Sequence, residues 1–252
     1  MLRELYFITS KYPERWTKDV RVRKKFSEER CLRLVSLLDV GPGELVLEIG
    51  TGEGRFIPII TSRGAFYTGV DISYDMLRYA RERLDNRSMC ELVVAEAKHL
   101  PFRDKAFDKS FCYATIFFIP NQRAVVREMR RVSKSLLAVE LRNVINPAVA
   151  RGLIYNKIAF MLSRLLKFRR TRKLVLRILK VVLGEGFVYW FLSRYLSEEG
   201  DVIPYYPAFP AQVFFMFKKP RIFFFDRHHK LRRGLRWLIE PDIIVLEVLE
   251  RR

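Results

Sequence analysis

Short apolar runs alternate with stretches of helical period through the first part of the chain. From Tyr12 to Leu38 the pattern predicts a helix, with Phe26, Cys31, Leu34, Val35 and Leu38 on one face. Gly41-Pro42-Gly43 punctuates the chain. Strands are then predicted at Glu44–Ile49, Ala65–Val70, Cys90–Ala95, Lys109–Tyr113 and Leu136–Leu141. Helices are predicted between them at Arg55–Ser62, with Pro58 tolerated near the first turn, at Tyr74–Arg83, with Ser73 as N-cap, and at Gln122–Val132. Strands and helices alternating at this spacing imply an α/β fold, a doubly wound and mostly parallel sheet covered on both faces.

The rhythm changes after Asn146-Pro147. Ile154, Ile158, Met161, Leu162 and Leu165 form one helical stripe, and Val175, Ile178, Leu179 and Val182 form another, which Gly184 ends. A helix at Gln212–Lys219 and strands at Arg221–Phe225 and Asp242–Leu249 complete a sheet of seven strands. The reading is one domain over residues 1–252: N-terminal helices at 1–40, a ligand-binding half at 41–145, a helical insertion at 146–200, and a final helix and strands at 201–252.

Charge changes this picture most at the insertion. The chain has a formal net charge of +19. Arg151, Lys157, Arg164, Lys167, Arg169, Arg170, Arg172, Lys173, Arg177 and Lys180 fall in one stretch without an acid. Such a block suits a polyanion, an anionic membrane face or an acidic substrate, with a merely solvated surface as the plain alternative. Arg170, Lys173, Arg177 and Lys180 lie on a different side of the second helix from its apolar stripe. Cys31, Cys90 and Cys112 have no paired spacing, which disfavours disulfides and zinc knuckles and points to a reducing cytosol. The N-terminus lacks the apolar centre of a signal peptide, and no apolar run approaches the ~18 residues of a spanning helix. Scarce Asn and Gln beside abundant Arg, Lys and Glu hint at a thermophilic source.

Candidate chemistry centres on LEIGTGEGRF, Leu47 to Phe56, where Gly50, Gly52 and Gly54 follow the acid Glu48. Glycines in a strand-to-helix turn let a ligand approach the backbone. A dinucleotide fingerprint needs its third glycine where Arg55 stands, so NAD and FAD are disfavoured. No Gly-Lys-Ser/Thr follows, which excludes a P-loop.

Five stretches in order carry a resemblance: VLEIGTGEGRF, GVDIS with DML behind it, AEAKHLPF, AFDKSFC and REMRRV. From about Gly41 to Leu141 the chain resembles the class I S-adenosylmethionine (SAM) dependent methyltransferases, especially the group related to quinone and small-molecule methyltransferases. The resemblance implies the Rossmann-like methyltransferase fold, with a basic helical insertion after strand five, and SAM as cofactor. It implies that Gly50, Gly52 and Gly54 pass close to the methionyl part and that Glu48 helps hold the amino-acid end. Asp71 would accept the ribose hydroxyls, as the equivalent acid does in dinucleotide sites. Ile72 would cover the adenine, with Met76 as a weaker candidate, Glu96 would meet the adenine amino group, and Ala97 would offer its N–H to the ring edge. His99, before Leu100-Pro101-Phe102, reads as an exposed neutral histidine rather than a site residue.

Past strand four stand Cys112, Tyr113, Thr115, Phe117 and Phe118. Phe117 and Phe118 suit an apolar or planar acceptor, with core packing as the alternative, and Tyr113 is the polar candidate for catalysis. Methyl transfer from a sulfonium relies on alignment and desolvation, with a base needed only if the acceptor must lose a proton early. The Asn/Asp-Pro-Pro-aromatic sequence of amino-group methylation is absent from CYATIFFIP, and no cysteine is placed for cytosine C5 chemistry. The expected function is therefore methyl transfer from SAM to a hydrophobic or lipid-like acceptor. Phe187-Val188-Tyr189-Trp190-Phe191 beside the cationic helix supports it. An RNA methyltransferase gripping phosphates through the insertion is the alternative. A non-catalytic SAM-binding protein is the third, because Ser133-Lys134-Ser135 stands where relatives commonly have a glycine-rich turn. Partners follow suit: an anionic membrane surface or RNA through Arg170, Lys173, Arg177 and Lys180, with no metal, in a cytoplasmic protein that is peripheral to the membrane if lipid is the partner.

Overall fold

Side chains that alternate along each strand divide the core into two layers, one on each face of a single sheet. A computed structural model describes residues 28–82, 84, 89–166, 176–182, 184, 186, 188, 206–208, 210–225, 230–234, 238 and 240–249. The elements in order are α1 (Glu28–Leu38), β1 (Leu45–Ile49), α2 (Ile57–Thr61), β2 (Phe66–Asp71), α3 (Tyr74–Arg81), β3 (Cys90–Val94) and β4 (Phe107–Cys112). A 3-10 turn at Ile116–Phe118 leads to α4 (Gln122–Val132), β5 (Ser133–Arg142) and α5 (Pro147–Leu166). Helix α6 (Pro210–Met216), β6 (Arg221–Phe225), β7 (Leu231–Arg232) and β8 (Asp242–Val248) follow.

The strands lie in the order β3-β2-β1-β4-β5-β8-β6-β7. Pairings among β1 to β5 are parallel. Strand β8 runs antiparallel to both β5 and β6. On one face Leu47, Ile49, Leu137, Val139, Ile243 and Val245 pack with Val125, Met129 and Val132 of α4 and Val213 of α6. On the other, Val46, Phe111, Ala138, Ile244 and Leu246 pack with Leu34, Val35 and Leu38 of α1 and Ile57 and Ile60 of α2. The period of two in the strands is what lets one sheet serve both layers.

The sheet has an eighth strand beyond the seven expected. Leu231–Arg232 pairs antiparallel with β6, and a two-residue strand carries no alternation by which to be seen. Strand β5 begins at Ser133, three residues before the expected Leu136, because α4 passes into it without a glycine-type turn. Ser133 adopts φ −96 and ψ 142, its N–H donates to the Met129 carbonyl, and its hydroxyl lies 2.7 Å from the same oxygen and 2.6 Å from Ser110 Oγ. The side chain thus satisfies the helix end that a glycine would otherwise relax.

Ser73 caps α3 as expected, its hydroxyl accepting the Met76 N–H at 3.3 Å. After β5, where the sequence predicts a helical insertion, α5 and the helical residues 176–182 follow. Gly184 follows with φ +80 and donates its N–H to the Lys180 carbonyl at 2.9 Å, a left-handed helix stop. The part of the expected N-terminal helix before Glu28 lies outside the described residues. So do the aromatic positions Phe187, Tyr189, Trp190 and Phe191 and the cations Lys167, Arg169, Arg170, Arg172 and Lys173.

Candidate cofactor and acceptor site

The strand order reverses direction of travel between β1 and β4, and in open α/β sheets ligands bind beyond the carboxyl ends of the strands at such a point. The loop after β1 and the loop after β4 meet there. Gly50 has φ +77, and a Cβ built on it would lie 2.2 Å from Thr115 Oγ1. Only glycine fits this contact, on conformation and on space. Thr115 Oγ1 in turn lies 3.3 Å from the Gly50 carbonyl and 3.2 Å from that of Tyr113. Between them Ala114 takes φ +55, a left-handed conformation costly for a residue with a Cβ, while its N–H donates to Glu140 Oε2 at 2.8 Å.

Asp71 ends β2 and holds the glycine loop to the start of α3. Its Oδ2 accepts the Gly52 N–H and its Oδ1 accepts the Ser73 N–H, both at 2.9 Å. Burial raises its pKa, and the backbone donors of Ser73, Gly52 and Ile72 pull it back down. These bonds leave the carboxylate with further acceptor capacity. The Gly50 and Thr51 N–H groups both serve the Val70 carbonyl, at 2.8 and 3.0 Å, and the Gly54 N–H serves Thr51. The loop is therefore fastened by its own donors, and it offers a close backbone path rather than an anion nest. Gly52 and Gly54 also adopt positive φ, and a Cβ on Gly52 would meet Met76 Cε at 3.3 Å.

Glu48 is 2% exposed at the end of β1 and accepts the Tyr67 hydroxyl. Burial first, and then the nearby Asp71 charge, push its pKa well above the ordinary carboxylate range, against the lowering effect of Tyr67. Ile72 is partly buried beside Asp71. Glu96 sits in a short turn, bridged to His99 in strand fashion and paired with Lys98 at 2.7 Å, while Ala97 is buried in the core cluster and His99 is exposed.

Tyr113, the expected polar group at the acceptor end, is only 1% exposed. Its ring stands edge-on to Phe56 at 5.6 Å among the residues under α1 and α2, and burial raises its pKa well above the usual phenol value. Phe117 is buried and Phe118 partly so, their centroids 4.7 Å apart, and the Arg142 guanidinium lies 5.6 Å from the Phe117 ring. The segment Tyr206–Ala208 closes this side, with the Tyr206 N–H donating to the Phe117 carbonyl at 2.7 Å and Gln122 Nε2 donating to the Tyr206 carbonyl at 2.6 Å.

Sequence reasoning missed the groups that hold these loops. Glu128 accepts the Leu100 N–H at 3.0 Å, and Arg131 donates to the Leu100 and Phe102 carbonyls while pairing with Glu128 and Asp104. This is the physical content of REMRRV: an (i, i+3) pair on α4 clamps the loop that carries Glu96 and Ala97. The roles of Thr115 and Ala114 were equally silent, since a steric fit to Gly50 has no sequence signature. Among the described residues no group of His, Cys, Asp or Glu is placed to hold a metal ion.

The family described as "Methyltransferase domain" matches residues 47–136. Demethylmenaquinone methyltransferase of Thermotoga maritima is 33% identical over 129 residues, 49% of this chain and 55% of that protein. Phosphatidylethanolamine N-methyltransferase of Cereibacter sphaeroides is 36% identical over 95 residues, 36% of this chain and 46% of that protein. The match thus spans about half the length of these curated relatives. The crystal structure of a SAM-dependent methyltransferase of Thermotoga maritima, described as a possible histamine N-methyltransferase, has a TM-score of 0.60 at 16% identity, over 99% of this chain and 100% of that one. That likeness speaks to fold, and it extends over both the matched domain and the segments after it. With the glycine loop, the Asp71 tie and the matched residues in register, residues 47–136 carry a methyltransferase domain of the class I SAM-dependent type, a class whose cofactor is S-adenosylmethionine.

Proposed function

We propose that the protein transfers a methyl group from SAM to a hydrophobic or lipid-like acceptor. The observation that carries this reading is the junction of Gly50, Thr115 and Asp71 at the carboxyl ends of β1, β4 and β2. The residues present suit the cofactor. Asp71 keeps acceptor capacity for two hydroxyls, Glu48 is a buried acid that a cationic amino group would stabilise in its ionised form, and Gly52 leaves the loop backbone open. Ile72, Glu96 and Ala97 are proposed around the adenine. The bound cofactor supplies an electrophilic methyl on a positively charged sulfur. The chain's own part is alignment and exclusion of water, for which the Phe117–Phe118 pair and the Tyr206–Ala208 segment are the proposed wall. Tyr113 takes no catalytic role in this proposal, because its ring is engaged in the layer under α1 and α2.

The apolar wall and the printed names of two relatives, which act on phosphatidylethanolamine and demethylmenaquinone, support a lipidic acceptor class. The test is tritiated-SAM labelling of a total cell extract, separated into lipid, RNA and protein fractions. Label in the organic phase is expected. Label confined to RNA would replace this reading by phosphate recognition through the cations of the insertion, and no label with intact SAM binding would leave a non-catalytic binding protein.

A further inference from the structure

Helix α5 presents its apolar stripe the wrong way round for a helix that packs on a core. Ile154, Ile158 and Met161, spaced as i, i+4 and i+7, are 58%, 42% and 67% exposed. The opposite side buries Val149 together with the polar Asn156. Isolated exposed apolar residues are ordinary, but a stripe on one helix face is a contact surface without its contact. Two cations, Arg151 and Lys157, are exposed along the same helix, and its whole sequence contains no acid. The helical residues 176–182 repeat the pairing, with Val181 and Val182 81% and 71% exposed beside the exposed Arg177.

We propose that this outward face of α5 docks on an anionic lipid bilayer, lying in the interface with Ile154, Ile158 and Met161 among the acyl chains and Arg151 and Lys157 at the headgroups. Charge complementarity selects this occupant. A second copy of the chain would bring two bodies of net charge +19 together through faces that both carry cations. A bilayer rich in anionic lipid offers the apolar and the negative component at once, which is the environment of an interfacial helix. Insertion across the membrane is a different matter, since no described helix is long and apolar enough to span. The topology gives the docking a consequence. Helix α5 leaves the sheet at the carboxyl end of β5, the end at which the glycine loop follows β1. Docking there brings the lipid surface to the acceptor side of the sheet.

The inference stands apart from methyl transfer, because vesicle binding is measured without cofactor. The full chain is floated with vesicles of phosphatidylcholine alone and of phosphatidylcholine with phosphatidylglycerol. Flotation is expected only with the anionic vesicles and should weaken with salt. Ile158→Ser with Met161→Ser should lower partitioning by about tenfold per residue. Arg151→Gln with Lys157→Gln should lower it by about fivefold per charge. Both pairs are exposed, so unchanged thermal melts and SAM affinity serve as the folding control. Failure of the wild-type chain to float with anionic vesicles overturns the proposal, as does equal flotation of wild type and both variants. A dimer dissolved by the serine variant would assign the face to a second copy, and salt-sensitive retention on RNA without vesicle binding would assign the cations to nucleic acid. Either result overturns it too.

Discussion

Replacing Glu48 by glutamine should make the ligand-free protein more stable and its hold on SAM weaker. The side chain is 2% exposed and accepts one hydroxyl, from Tyr67. Burial and the neighbouring Asp71 raise its folded-state pKa well above the usual range. The folded protein therefore keeps the proton at pH values where the unfolded chain, titrating near pH ~4.3, has already released it. Glu48 thus contributes fully to stability below that unfolded pKa, and the contribution declines as pH rises through the folded one. Glutamine keeps the size and an acceptor for Tyr67 but cannot ionise. A buried polar group left imperfectly satisfied costs about 1–3 kcal/mol. At ~2–4 °C per kcal/mol for a chain of this size, the expected gain in Tm near neutral pH is about 2–12 °C. The gain should shrink toward zero as the melts are moved to about pH 4. Isothermal titration should show SAM binding at least about tenfold weaker, since a charge-assisted bond worth about 1.5–3 kcal/mol is lost. Wild type and Glu48→Gln melting together at every pH would mean that the acid is not held against its ionised form, and the reasoning from burial would fail.

The remaining expectations concern the supports of the site. Gly50→Ala combines a φ of +77 with a Cβ 2.2 Å from Thr115 Oγ1 and should abolish SAM binding; Thr115→Gly in the same chain should recover the part due to overlap but not the conformational cost of about 1–2 kcal/mol, as read by calorimetry and urea melts. Arg130 pairs with the nearly buried Glu247 at 2.7 Å and donates to the Met216 carbonyl at 2.9 Å, so Arg130→Ala should cost about 3 kcal/mol in urea unfolding, and Glu247→Gln should return part of it. Arg131→Ala should lower stability by about 1–3 kcal/mol and raise the hydrogen exchange of the loop at Leu100, whose carbonyl it holds at 3.0 Å.

The elements that bury alternating or helical stripes were legible from the residues, because their periodicity is the cause of the packing. Helix Gln122–Val132 and strand Arg221–Phe225 fall where the pattern places them, and the Ser73 cap is a local hydrogen bond that sequence can announce. The place of Asp71 at the end of the second strand was legible. Its fastening of Gly52 to Ser73 was not, since that depends on where two chain segments meet. Tyr113 shows the limit most clearly. One position past β4, a phenol can turn into the layer under α1 and α2 or toward the carboxyl-end crevice, and the alternation along the strand decides it; the residue that meets Gly50 is Thr115. The stripe of α5 was found by its spacing, while its outward aim is a matter of tertiary placement.

Titration of SAM into the wild-type protein and into Asp71→Ala tests the cofactor site itself. One site per chain is expected in the wild type. The variant should bind at least about tenfold more weakly, since a hydrogen bond to a charged group is worth about 1.5–3 kcal/mol. A folded wild-type protein with no affinity for SAM, or an Asp71→Ala variant that binds as tightly as wild type, would contradict the site built here from Gly50, Gly52 and Asp71.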